Sequence, residues 1–428
     1  GAAHSVVKGD GDLVWASVID DCVKGTPQRF YEAGKVPGDA FVSARWDLLP
    51  PKSYMWASVQ TVRGCPKHCS FCSVWRTDGN APRQRGPEAV VAEVVELRRK
   101  GFRFIALADD NFYPVTLGDL EQARRRRDPA RLHALEAMRA ERFALMDLLS
   151  KLPDDMVFYT QITMEAAEDP EFLQAMARAR IRGGLVGVEA VTPEGLKDVY
   201  KDFNASGEAL VERLRAFEEH GIHVLGSFIF GLPSDRPETF DATAALAERA
   251  RMTFAQFVML TPFPGTVDFE RWERDPARAG DSVDGIPVTR HWLIPQERRP
   301  KVFTPHPMMS ADEIRRRTQG VWDQFYSLPR IWRRASAVRS LRGRLAFVLI
   351  SKLYRQMYAN TGIATDSARV ARSARLARWI AKPCRRLFAA PPMPELQMPV
   401  PSGTGALPRS APSLGSDLDF AHVQRIET

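Results

Sequence analysis

Between about residue 53 and residue 266 the chain alternates short apolar runs with longer amphipathic stretches. The runs at 56–62, 104–108, 156–163, 185–188, 223–230 and 254–260 are rich in β-branched and aromatic residues and too short for helices, so they predict strands. Between them, 87–100, 132–152, 171–178, 209–220 and 237–249 repeat apolar residues at helical spacing. Strands that alternate with helices are joined by crossovers, and a crossover makes its two strands parallel. Six such units predict an α/β fold with the sheet curled into a partial (β/α)6 parallel barrel. In such barrels the reactive groups sit on loops after the strands' C-terminal ends.

The flanks read differently. Residues 1–45 pattern as one strand followed by one helix, with the polar stretch Lys8-Gly-Asp-Gly-Asp12 between them. A single unit of that kind cannot cover both faces of its strand, so it reads as the end of a larger domain. Beyond the barrel, 271–329 form an extension in which Ser310 to Glu313 have capping-box spacing and Trp322, Phe325 and Tyr326 give the following helix an aromatic face for packing. The segment 330–388 mixes arginines with Trp332, Leu345, Phe347, Ile350, Tyr354 and Trp379, and 389–428 is rich in Pro, Ser and Gly, which predicts disorder.

With 428 residues, 44% of them hydrophobic, the chain is long enough to bury a full core. The net charge of +8 hides an asymmetry, because residues 330–386 hold 15 Lys or Arg against the single acid Asp366. Such a segment suits either helices lying on an anionic membrane surface or an apolar cap on the barrel with its arginines in water. No secretory leader opens the chain and no apolar run nears the roughly 20 residues that span a bilayer, which predicts a cytoplasmic protein, at most peripheral on the inner face of the membrane. A first residue of Gly rather than Met suggests a piece of a longer product. The run Arg124 to Arg127 has no stacking aromatics between its charges, so no nucleic-acid partner is expected.

Five cysteines do not form a disulfide framework; Cys22 and Cys384 stand apart, and Cys65, Cys69 and Cys72 lie in one loop after the first strand. Three thiols spaced Cys-x3-Cys-x2-Cys can hold one face of a 4Fe-4S cluster and leave one iron open. The stretch Gly64-Cys65-Pro-Lys-His-Cys69-Ser-Phe71-Cys72 resembles the signature of the radical S-adenosylmethionine (radical SAM) superfamily. That resemblance implies a radical SAM type of barrel over 46–270 in which the open iron chelates SAM, a reducing electron donor, and a radical that abstracts hydrogen. The other reading of the same residues is a zinc site completed by His68, in a nucleic-acid-binding module.

Further residues follow from the resemblance. Asp109-Asp110-Asn111 after the second strand resembles the element that binds the amino group of SAM in the branch carrying a cobalamin-binding domain, and carboxylates are the acceptors an ammonium needs. Glu189 ends the fourth strand, where it implies a ribose contact. Gly226 and Phe228 lie in the fifth-strand segment that resembles the adenine-binding one, and Phe71 belongs to the cysteine motif. Thr261 to Thr266 resembles a barrel-closing loop, while Gln161 and Thr163 face one way from the third strand by period two and are candidates to face substrate. Residues 1–45 resemble the closing strand and helix of that branch's Rossmann-like cobalamin domain, although no Asp-x-His-x-x-Gly occurs in the chain. The branch implies cobalamin-dependent C-methylation of an unactivated carbon, here on a small-molecule, lipid-like or isoprenoid substrate, with oxidative cyclisation or rearrangement as the alternative.

Overall fold

The computed structural model describes residues 3–360 apart from 50–53, 277–279, 296, 301, 303 and 339. The expectations for 361–388 and for the tail 389–428 lie outside the described residues.

Chain order begins with β1 (Val6–Gly9), α1 (Trp15–Val23) and β2 (Phe30–Gly34), and β1 pairs β2 in parallel. The sequence reading stopped at one strand and one helix; the second strand was hidden because Phe30-Tyr-Glu-Ala-Gly34 shows no alternation long enough to stand out. There follow β3 (Ala57–Val59), a small antiparallel pair β4 (Val62–Arg63) and β5 (Arg83–Gln84) separated by the cysteine loop and the short α2 (Val74–Thr77), then α3 (Pro87–Arg99) and β6 (Phe104–Leu107). Next come α4 (Leu117–Arg125), α5 (Pro129–Ser150), β7 (Val157–Ile162), α6 (Pro170–Arg178) and β8 (Ile181–Glu189). The barrel is completed by α7 (Pro193–Asp198), α8 (Gly207–Glu219), β9 (His223–Phe230), α9 (Pro237–Arg249) and β10 (Phe254–Met259). Then follow α10 (Val267–Arg274), α11 (Ala311–Phe325), α12 (Leu328–Arg334) and α13 (Leu341–Asn360).

The six long-range strands form one parallel sheet in the order β10-β9-β8-β7-β6-β3, the partial barrel the pattern predicted. Sequential order with right-handed crossovers puts every connecting helix on one face. That face is the core, where Ile105, Phe158, Val186, Phe228 and Phe257 meet apolar residues of the helices. Local chemistry sets the helix starts: α3, α5, α6, α7 and α9 each begin on a proline, which lacks the N–H that a first turn leaves unbonded. Strand β8 starts four residues earlier than its apolar run, since Ile181-Arg-Gly-Gly184 reads as a turn while its neighbours β7 and β9 pair it as strand.

An open sheet leaves an edge, and β10 is one of two. The Tyr326 hydroxyl donates to Ala255 O (2.8 Å) and accepts from Ala255 N (3.1 Å), and Trp322 Nε1 donates to Phe257 O (2.7 Å), so α11 covers the edge with side chains. From α13, Phe347 and Tyr354 pack on Phe254 (ring centroids 5.6 and 5.5 Å), and Tyr354 and Tyr358 reach Gln256. The described half of the basic segment is therefore packed as a cap. Among the described residues no helix is long and apolar enough to cross a membrane.

Candidate active site at the strand ends

The cysteine loop is held open by its stem. Gly64 has φ +92°, and a Cβ there would lie 2.8 Å from Gly79 O, so only glycine fits. Cys65 N donates to Gly79 O (3.1 Å), and Gly64 N donates to Asp110 Oδ2 (2.6 Å), which ties the loop to the end of β6. Ser70 N donates to Val199 O (3.1 Å), Asp268 N donates to Ser70 O (3.2 Å), and Arg76 pairs with Glu270. The segment after β10 thus meets the cysteine loop across the gap between the sheet's two edges. Gly265 lies against Ser73 and Thr77, and Thr266 caps α10 through Phe269 N (3.0 Å), the barrel-closing duty expected of 261–266.

Cys69 is buried, and Cys65 and Cys72 are half-buried. Burial pushes all three thiols up, Cys69 to about 12, and repulsion from Cys72 raises both Cys65 and Cys69 further. Thiols of this kind become thiolates when a metal centre neutralises them. Among the described residues no three His, Cys, Asp or Glu side chains converge at the spacing of one ion, and a cubane spreads three thiolates more widely than one tetrahedral zinc does. His68 packs instead on Trp75, ring centroids 5.0 Å apart. The donor set suits a cluster held by three cysteines.

Of the other expected residues, Phe71, Asp110 and Glu189 surround the thiols. Phe71 packs against the small apolar cluster formed by Ala190, Leu196, Val199, Ile229 and Leu232. The Asp110 and Glu189 carboxylates are near enough to hold Cys72 up by repulsion. Glu189 has φ +63° after a register shift in β8, is buried, and accepts from Lys201 Nζ (2.8 Å). Lys201 has no sequence signal; it lies 12 residues beyond Glu189 and reaches it only through the turn after α7.

One expectation needs correction. Asp109 is buried beneath the site, where its carboxylate accepts from Thr61 N (2.6 Å), Thr61 Oγ1 (2.6 Å) and Val62 N (2.9 Å), so it braces the stem and does not face an ammonium. Arg142, also buried, donates to the same Thr61 Oγ1 (2.7 Å). Gly226 and Phe228 turn their side-chain positions by period two into the helix-side core, so this segment has its backbone to offer an adenine, as the resemblance implies: Phe228 stacks on Phe257 at 5.3 Å, and a Cβ on Gly226 would meet Met252 Sδ at 2.6 Å. The concave face of β9 carries Ser227 and Ile229 instead. On β7 the parity does hold, since Phe158 and Ile162 enter the core while Gln161 lies exposed on the concave face; Thr163 N donates to Asn111 Oδ1 (3.2 Å).

The N-terminal unit meets the barrel at this same end. Asp10, just after β1, pairs with Arg83 and Arg63 (3.2 Å to the latter) and accepts from Val36 N (3.0 Å); Asp12 pairs with Arg63 (2.9 Å). Arg63 is the residue before Gly64. The carboxyl ends of β1 and β2 therefore stand next to the cysteine loop.

Residues 59–247 match the Radical SAM superfamily. Hopanoid C-2 methylase of Rhodopseudomonas palustris is 27% identical over 238 residues, covering 54% of this chain and 40% of that protein. Bacteriochlorophyllide d C-12(1)-methyltransferase of Chlorobaculum tepidum is 26% identical over 279 residues, 62% of this chain and 55% of that protein. The chain thus spans about half the length of these curated relatives. Among solved structures, the radical S-adenosylmethionine methyltransferase TsrM of Kitasatospora setae, with cobalamin and a 4Fe-4S cluster bound, superposes with a TM-score of 0.48 at 17% identity over 70% of this chain and 61% of that one. With its three-cysteine loop at the end of the first strand of a six-stranded parallel sheet, the part of this chain spanning residues 59–247 is a radical SAM domain, a superfamily whose enzymes use a 4Fe-4S cluster and S-adenosylmethionine.

Proposed function

We propose that the chain performs cobalamin-dependent radical C-methylation of an unactivated carbon on a lipid-like or isoprenoid molecule. The observation that carries this reading is the juxtaposition at one end of the sheet: three thiols, one buried and two half-buried, the Asp110 and Glu189 carboxylates, and the strand ends of a βαβ unit pinned to Arg63. When bound, the cluster and SAM supply a radical able to remove hydrogen from an unactivated carbon.

The chain's own part is to hold and orient. Cys65, Cys69 and Cys72 would hold the cluster. Asp110 braces Gly64 with one oxygen and offers the other to the SAM ammonium. Glu189, held by Lys201, is placed for the ribose hydroxyls, and Phe71 closes the apolar floor beside them. Ligands of Rossmann-like units lie beyond the carboxyl ends of the strands, so cobalamin would sit where β1 and β2 meet the barrel. The concave face offers Leu185, Ile229, Val258 and Tyr159 around Gln161, an apolar lining with few polar groups. The two named relatives act on a hopanoid and a bacteriochlorophyllide, which supports an apolar polycyclic substrate. Such a substrate favours peripheral contact with an anionic membrane through exposed Trp332, Leu341 and Leu345 with the neighbouring Arg333 and Arg342.

The test is anaerobic reconstitution, expected to give roughly four irons and four sulfides per chain, reductive cleavage of SAM, and transfer of label from methyl-labelled SAM to a hopanoid lipid only when cobalamin is added. Stoichiometric zinc without iron would refute the cluster, and methylation indifferent to cobalamin would refute the cofactor. Binding to anionic vesicles that does not weaken with salt would refute the membrane contact.

A further inference from the structure

Lys201 is 5% exposed, and its ammonium is hydrogen-bonded to Glu189, which is as deeply buried. A buried ion pair adds little to stability, since desolvating both charges offsets their attraction. Its position is nevertheless strongly defined. Lys201 N donates to Leu196 O (2.8 Å) and Asn204 Nδ2 donates to Gly187 O (3.1 Å), which fixes the turn against β8. Two residues before Lys201, Val199 O receives Ser70 N from within the cysteine loop. Gly187 leaves the ammonium room, because a Cβ there would lie 2.5 Å from Lys201 Nζ.

Phe203 stands between this turn and the cysteine loop, with Lys201 Nζ 6.0 Å and the loop's own Lys67 Nζ 4.7 Å from its ring centroid. The buried ammonium therefore sits against the loop that carries the thiols, with the Glu189 carboxylate as its counter-charge. A positive charge beside an iron–sulfur centre favours the form with one more electron, and net charge is among the factors that set such potentials.

We propose that Lys201, oriented by Glu189, is a positioning charge that raises the reduction potential of the centre held by Cys65, Cys69 and Cys72. The inference rests on the cluster assignment above. It assigns Glu189 a second duty, as the counterweight that limits how far the potential rises.

The experiment is a redox titration followed by electron paramagnetic resonance on the reconstituted full chain without SAM, so that neither substrate nor turnover enters. Lys201→Met should move the midpoint to a more negative value, and Glu189→Gln should move it to a more positive one. Opposite shifts are not what a packing defect produces. If Lys201→Met fails to assemble a cluster, Glu189→Gln decides alone: a positive shift supports the proposal and an unmoved midpoint overturns it. Cluster-loaded variants that both titrate like the wild type overturn it as well. A wild-type chain that takes up no iron is recognised beforehand from its metal content, and defeats the cluster assignment along with this inference.

Discussion

Replacing Asp109 by Ala should cost the protein its cluster loop, although no ligand is touched. The carboxylate accepts three hydrogen bonds from Thr61 N, Thr61 Oγ1 and Val62 N, all within the stem that leads to Gly64. Removing it leaves two buried amides without an acceptor, each costing about 1–3 kcal/mol. It also removes the charge that faces Arg142, and an unpaired buried charge costs about 3–5 kcal/mol. These losses share partners and are not additive, so about 3–5 kcal/mol overall is expected, a large part of a domain's usual margin. Asp110→Ala removes one bond to Gly64 N from a half-buried group, worth about 1 kcal/mol. The two neighbours should separate cleanly by denaturant midpoint and by iron and sulfide content after reconstitution: Asp109→Ala unstable and poor in iron, Asp110→Ala near wild type in both but weak in SAM binding. An Asp109→Ala protein with wild-type stability and iron would refute the bracing role.

Gly64→Ala forces a side chain into φ +92° and within 2.8 Å of Gly79 O; a strain of about 1–2 kcal/mol plus the clash should lower iron content with helix content unchanged by circular dichroism. Tyr326→Phe strips both bonds from the Ala255 backbone, so unfolding should come earlier by about 1–3 kcal/mol, with more aggregation from the bared edge. Burial raises Asp235 to about 6 while it accepts from Gly231 N and Leu232 N. Its folded value lies above its unfolded one, so the stability it contributes is present below about pH 4 and lost as pH rises through about 6, a span of up to about 3 kcal/mol. Asp235→Asn keeps an acceptor for both amides and should flatten that slope in thermal melts between pH 4 and 7; an unchanged slope would assign it to other groups.

The barrel was legible because its signal is local. Six apolar runs separated by proline-started helices state both the period and the connectivity, and parallel sequential order follows from crossover geometry. The cysteine loop was legible for the same reason, with all three thiols inside eight residues. What stayed hidden depends on distant partners. Asp109 and Asp110 look equivalent in sequence, yet consecutive residues at a strand end point to opposite sides, and only Thr61 and Arg142 reveal which one is buried. The run that holds Phe228 is apolar on both faces, so the sequence offers no parity to say which side chains of the fifth strand enter the core. Lys201 becomes visible only once the turn after α7 is placed against the cysteine loop.

The basic segment shows how composition underdetermines a role. Fifteen cations against one acid suggest an anionic partner outside the molecule. Within the described part, however, Arg334 Nη1 donates to Phe325 O (2.9 Å) and Lys352 Nζ to Tyr326 O (2.7 Å), the carbonyls left unbonded where α11 ends. Cations at a helix C-terminus are stabilised by the dipole as well as by these bonds. Arg355 pairs with Asp323 at 3.0 Å and Arg330 with Glu248 at 2.5 Å, so further positive charge is matched inside the fold. The aromatic residues between them, Tyr354 and Tyr358, close on Gln256 and the edge strand. Charge and apolar residues that read as a membrane anchor therefore first build the cap of an open sheet, and among the described residues it is others, such as Trp332, Leu341 and Leu345, that are left exposed for any membrane contact. The two roles are compatible because they use different residues of the same helices, and that division is a property of the fold that no count of arginines contains.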